Sequence, residues 1–86
     1  KAVPGQDEPI TITINKNRDI FIGDNNVKAE TLIIKLNAIA GLKKQSRVFI
    51  RADTALPYGE VMELMSLITN AGFNKVALLT KQKTDK

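Results

Sequence analysis

Between Arg47 and Thr80 the chain spells a unit that leaves few choices of fold. Arg47-Val48-Phe49-Ile50-Arg51-Ala52-Asp53 is β-prone, Leu56-Pro57-Tyr58-Gly59-Glu60-Val61-Met62 opens a helix, and Asn70-Ala71-Gly72-Phe73-Asn74 closes it. Lys75 to Thr80 is apolar again. This reads as strand, turn, helix, glycine stop, strand. Two strands joined through a helix pair in parallel by a right-handed crossover, with the helix packed on the sheet. Pro57 suits the first helical turn, where a missing N–H costs nothing. Helix two is expected to run to about Ala71, with Gly72 as its stop.

Upstream, Ile10, Ile12 and Ile14 alternate with Thr11, Thr13 and Asn15, the period of a half-buried strand. Asn15-Lys16-Asn17-Arg18 supplies turn residues, and Asp19 to Ile22 completes a hairpin. Gly23-Asp24-Asn25-Asn26 reads as a second polar turn. A helix is expected from about Ala29 to Ala40, with Leu32, Ile33, Leu36, Ile39 and Ala40 on its buried face and Gly41 as its stop. Ile34 points to the polar side, as an ordinary exposed apolar residue. Strand three spans Ser46 to Ala52, and strand four Lys75 to Thr80.

The order β-β-α-β-α-β predicts a two-layer α+β sandwich with two helices on one face of a mixed sheet. Residues 1–9 read as a flexible tether, 10–80 as the domain, and 81–86 as a basic tail. The apolar residues of helix two cover roughly 220° of its surface, wider than one sheet contact needs. Packing against both the sheet and helix one is the expected reading. The alternative is that Met62 and Tyr58 meet a second protomer. Gly59 inside this helix is expected to permit close packing of the first turn.

Composition removes most chemistries. At 86 residues the chain holds at most one domain, and it buries only about 60–65% of its unfolded surface, so an oligomer would help its stability. It has no Cys, hence no disulfide, thiol nucleophile or thiolate zinc site, and no His, the usual general base and metal ligand. The carboxylates do not converge. Asp7 and Glu8 lie in the tether, Glu60 and Glu63 on the outer part of helix two, and Asp24 in a turn. Asp53 ends a strand beside Arg51, where a cap, ion-pair or turn role is expected. No catalytic residue, metal ligand or cofactor site is expected. The net charge of +4 is modest. No apolar run approaches the roughly 20 residues needed to span a bilayer. The chain begins at Lys1 without a signal-peptide pattern, so a fragment lacking its anchor is expected.

On strand three, Val48, Ile50 and Ala52 share the core face, and Arg47, Phe49, Arg51 and Asp53 share the other. Phe21 also opposes Ile20 and Ile22. Aromatics and arginines on an open sheet raise the possibility of a small RNA-binding domain. Against it, that fold places a helix directly after its first strand, and Ser46 to Asp53 lacks the glycine and aromatic spacing of the RNP1 signature. No nucleic-acid partner is therefore expected.

Phe49-Ile50-Arg51-Ala52-Asp53, Pro57-Tyr58, Val61-Met62, Ala71-Gly72-Phe73 and Lys75-Val76-Ala77-Leu78, in that order, resemble the periplasmic domain of the TolR and ExbD family. These are small subunits of ion-driven motors in Gram-negative inner membranes. Ile20-Phe21-Ile22-Gly23, Val27 and the helix from Leu32 to Ile39 fit the same order, so the resemblance covers about Ile10 to Thr80. Its motifs are short, and their joint order carries the specificity. The lead-in from Pro4 to Pro9, Leu36-Asn37-Ala38-Ile39-Ala40 and Asn70 to Phe73 are similar to TolR-type sequences. Ile20 to Gly23 is closer to ExbD. The reading leans to TolR.

The resemblance implies a non-enzymatic periplasmic module of a single-pass inner-membrane protein. Its transmembrane helix would carry a proton-relaying Asp beside a polytopic subunit, TolQ-like or ExbB-like. A TolR-like module dimerises, contacts peptidoglycan, works with TolA and supports outer-membrane integrity through the Tol–Pal system. An ExbD-like module contacts TonB and supports import of siderophores and vitamin B12. An edge strand is a natural docking site, because its free N–H and C=O groups accept another strand. The run Val76 to Leu79 is too apolar for comfortable exposure, and central burial would explain it equally. Val76, Leu78, Leu79, Met62 and Tyr58 are the candidate dimer or strand-addition residues. Leu79→Lys should then give a folded monomer. Arg51, Lys75, Lys81 and Lys83 are the candidate contacts to peptidoglycan or a partner, and solvated surface is their plainer reading.

Overall fold

A computed structural model describes residues 9–41 and 46–82, the last three by their backbone alone. The tether up to Glu8, and Lys83 with the rest of the tail, lie outside the described residues. Strands β1 (Ile10–Ile14), β2 (Ile20–Ile22) and β3 (Asn25–Val27) are followed by a 3-10 turn at Ala29–Thr31 and helix α1 (Leu32–Ala40). Strand β4 (Val48–Asp53), helix α2 (Tyr58–Asn70) and strand β5 (Val76–Gln82) complete the chain. The five strands form one mixed sheet in the order β3-β2-β1-β4-β5. β1–β2 and β2–β3 are antiparallel, whereas β1–β4 and β4–β5 are parallel. The α+β class, the one-sided helix layer and the parallel crossover are all present.

Register explains the single core. Ile12 pairs with Ile22 and Ile50, Ile14 with Ile20 and Ala52, Val48 with Val76 and Ile50 with Leu78. Side chains alternate along each strand, so these rows share one face. Leu32, Leu36 and Ala40 of α1, Val61, Leu64 and Ile68 of α2, and Leu56 and Phe73 join the same buried cluster. Both helices therefore lie on that face.

The β1–β2 turn is organised by Asn15. Its Oδ1 accepts the backbone N–H groups of Asn17 and Asp19, each at 2.9 Å. Arg18 closes the turn by donating its N–H to the Asn15 carbonyl at 2.9 Å, at a φ of 69°. Left-handed backbone is rare for a residue with a Cβ. The two helices end where expected. Gly41 follows α1 at φ 63° with its N–H on the Asn37 carbonyl, and Gly72 follows α2 at φ 107°.

Several details depart from expectation. The last strand continues through Lys81 to Gln82, paired with Ala52 and Asp53, rather than ending at Thr80, and Ala29–Thr31 is a 3-10 turn ahead of α1. Asn25–Val27 is a short third strand rather than part of a turn, and Asn26 Nδ2 donates to the Ile20 carbonyl at 3.2 Å. Ile39 is exposed, because the buried stripe of α1 is the i, i+4, i+8 row Leu32, Leu36 and Ala40. Ile39 sits on the flank of that row, in the last turn. Asp53 does not share the open face with Arg47, Phe49 and Arg51. It is buried, with Oδ1 accepting the Ala55 N–H at 2.8 Å and its carbonyl accepting that of Leu56 at 3.1 Å. This is an Asx turn that carries the chain off the sheet toward α2. The wide apolar arc of α2 is only partly covered, with Tyr58, Met62 and Leu67 exposed at 59%, 39% and 44%.

Gly59 is a further departure. A Cβ built there meets nothing within 4 Å, so close packing does not explain the glycine. Gly59→Ala is therefore expected to stabilise the domain by about 0.5–1 kcal/mol, through lower backbone entropy of the unfolded chain. Urea denaturation checks this: the midpoint should rise with an unchanged slope. A lower midpoint would mean that the first turn of α2 cannot take a side chain.

Candidate functional site

Among the described residues β5, which carries the apolar run Val76 to Leu79, is an edge strand and not a central one. The Lys75 carbonyl accepts the Val48 N–H at 2.8 Å, so Lys75 turns toward β4. Backbone groups alternate in direction along a strand, so Val76 and Leu78 present theirs outward. Their side chains are half-buried against the core. Leu79 has 46% of its surface exposed. Register also shifts here. Ile50 pairs with Leu78 but Ala52 pairs with Lys81, which leaves one extra residue in β5. Such a bulge leaves a short regular edge segment, Val76 to Leu78, beside the exposed Leu79.

Tyr58 and Met62, the other candidate interface residues, stand in the helix layer and not on this backbone edge. Arg51 and Lys75 are both exposed, Arg51 on the open face of β4 and Lys75 just before β5. The Lys81 backbone pairs with Ala52. Its side chain and the whole of Lys83 lie outside the described residues.

The face opposite the helices carries Thr11, Thr13, Phe21, Asn26, Phe49, Arg51 and Ala77 in strands. Thr13 lies between Phe21 and Arg51, and Thr11 pairs with Phe49, which in turn pairs with Ala77. Phe21 and Phe49 are half-buried. Arg47 precedes β4 on the same face as Phe49 and Arg51. It is exposed and extends the row of basic residues, as alternation along the strand predicts.

A third feature lies on the helix side. Ile14, Ile20, Leu56, Val61, Leu64 and Leu67 line a groove of about 600 Å³ between α2 and the β1–β2 hairpin. Arg18 reaches across it. Its Nε and Nη2 donate to Glu60 Oε1 and Oε2 at 2.8 and 2.9 Å. The pair holds the Glu60 carboxyl below its usual range, chiefly through these hydrogen bonds, and raises Arg18. Both side chains are exposed, Arg18 at 61% and Glu60 at 43%, so water screens the attraction and the bridge opens at little cost. No sequence pattern joined these two residues, which are 42 apart.

Among the described residues no group of three or more His, Cys, Asp or Glu converges as a metal site. Among them, too, no helix is long and apolar enough to cross a membrane. The surfaces that remain are a strand edge, a basic sheet face and an apolar groove. They belong to a two-layer α+β module.

The chain belongs to the ExbD/TolR family of biopolymer transport proteins, whose model matches residues 2–83. It is 32% identical over 79 residues to the biopolymer transport protein ExbD of Escherichia coli (strain K12), covering 92% of this chain and 56% of that protein. It is 29% identical over 80 residues to ExbD of Pseudomonas putida, with the same 92% and 56% coverage. With biopolymer transport protein ExbD-like 1 of Helicobacter pylori (strain 26695) it shares 36% identity over 76 residues, covering 87% of this chain and 57% of that protein. The chain thus spans little more than half the length of these relatives.

Proposed function

We propose that this chain is a non-enzymatic periplasmic module of an inner-membrane, proton-driven motor, and that its β5 edge takes an added strand, either from a second copy in a dimer or from an extended partner. The observation that carries this reading is the open β5 edge, with outward backbone groups at Val76 and Leu78 beside the exposed Leu79. An added strand would gain main-chain hydrogen bonds there, and alternate side chains would set its register. In the whole protein a transmembrane helix would join the module to an ExbB-like or TolQ-like subunit. In an ExbD-like branch, in keeping with the names of these relatives, the extended partner would be TonB.

The TolR-like branch rests on a different observation, the basic open face. Arg47 and Arg51 flank Phe49 with threonines beside them. Guanidinium groups beside an aromatic ring suit a polymer bearing sugars and carboxylates, as peptidoglycan does. In this branch the module would anchor the motor to the cell wall and work with TolA in the Tol–Pal system. Lys75, Lys81 and Lys83 would then extend the contact.

One pair of measurements separates the branches. The chain is sedimented with purified, insoluble peptidoglycan at low and high salt, and its amide resonances are followed while an extended TonB segment is added. Salt-tolerant co-sedimentation is the TolR-like result. Saturable shifts centred on Val76 and Leu78, without co-sedimentation, are the ExbD-like result. Absence of both would overturn the proposal.

A further inference from the structure

Helix α2 differs in charge from the rest of the molecule. The chain carries a net charge of +4, yet the charged residues of α2 are Glu60 and Glu63 alone. The helix also exposes Tyr58, Met62 and Leu67. Two hollows flank it: the groove below Arg18, and a shallower one of about 370 Å³ around Met62. Both are lined by Glu63 and Leu67, so they meet along the helix. Arg18 already satisfies Glu60, and among the described residues Glu63 makes no ion pair. The rim of an apolar groove is therefore left with an excess of negative charge.

We propose that this groove binds a peptide segment of a protein partner that carries aliphatic anchors flanked by lysine or arginine. The aliphatic side chains would fill the space over Leu64 and Leu67, and the cations would face Glu63 and Glu60. Arg18 acts as a cover. It holds Glu60 from across the groove through an exposed bridge, on a backbone conformation that its side chain does not favour. An incoming cation replaces the guanidinium at Glu60 without leaving either charge buried. Charge complementarity of this kind sets the class of partner and speeds its encounter. The site lies on the helix face of the fold, apart from the β5 edge.

The test uses two capped 12-residue probes, one alternating leucine and lysine blocks and one with every lysine replaced by glutamate. Each is titrated into the chain while amide and methyl resonances are recorded. The lysine probe is expected to bind saturably, with shifts concentrated at Ile14, Ile20 and Glu60 to Leu67. The glutamate probe should bind at least about 10-fold more weakly. The Glu60→Gln/Glu63→Gln double variant should lose most of the preference, and Arg18→Ala should tighten binding of the lysine probe. All three positions are solvent-exposed, so the variants are expected to fold, and their resonance dispersion confirms it. Equal affinity for both probes, or shifts confined to β5 or the open sheet face, would overturn the assignment. So would a domain whose α2 groove is occluded by a second copy, seen as a dimer that Leu67→Asn dissociates.

Discussion

Phe73→Ala is expected to remove about 3–5 kcal/mol of stability, the range for deleting a fully buried phenylalanine. Phe73 follows the glycine that stops α2, is wholly buried and belongs to the one hydrophobic cluster. It sits where the helix layer hands the chain back to β5, so its loss loosens both layers. A domain of 86 residues has a total margin of only about 4–13 kcal/mol, so this single change consumes from about a quarter to all of it. Urea denaturation followed by circular dichroism gives the result. The midpoint should fall sharply, with the slope unchanged if a folded state survives. Phe49→Ala is the matching control. Phe49 lies on the face without helices and is only half-buried, so it should cost clearly less. Equal losses at the two positions would mean that the open face is covered as thoroughly as the core.

The core rows could be read in advance because each is a local pattern. Ile10, Ile12 and Ile14 alternate, and the β4-α2-β5 unit announces its own crossover. What escaped the reading was set by partners distant in sequence. Asn25–Val27 has only one apolar residue to mark it as a strand, and it forms because β2 offers a free edge at Ile20 to Ile22. Asp53 follows the alternation of β4 until its side chain turns back to the Ala55 N–H, and that turn decides its burial. The run Val76 to Leu79 is equally apolar whether a strand is central or peripheral. Only the pairing of β4 with β1 on its other side makes β5 the edge. The groove under Arg18 had no signal at all. Arg18 is a turn residue and Glu60 an ordinary helix carboxylate until the hairpin is laid against α2. Glu63 and Leu67 gain their interest only from that placement.

Leu79→Lys is expected to leave the domain folded and to weaken its self-association by about 30-fold or more, the effect of losing a central interface anchor worth about 2 kcal/mol. The side chain is exposed, so the core does not depend on it. A lysine at this position puts a charge beside the short edge segment that would accept another strand, a device that natural sheets use to keep edges apart. In a symmetric pair both copies carry the lysine, so the like charges face each other and the penalty is felt twice. Sedimentation velocity over a range of concentrations should show the wild-type chain moving from monomer to dimer and the variant remaining monomeric. Tyr58→Ala and Met62→Ala provide the contrast. These residues stand in the helix layer, so dimerisation through β5 should survive their loss. Dissociation by the helix variants, with Leu79→Lys still dimeric, would transfer the interface from the strand edge to α2. An unchanged sedimentation profile for Leu79→Lys would remove β5 as the dimer contact, while leaving its outward N–H and C=O groups open to an extended partner.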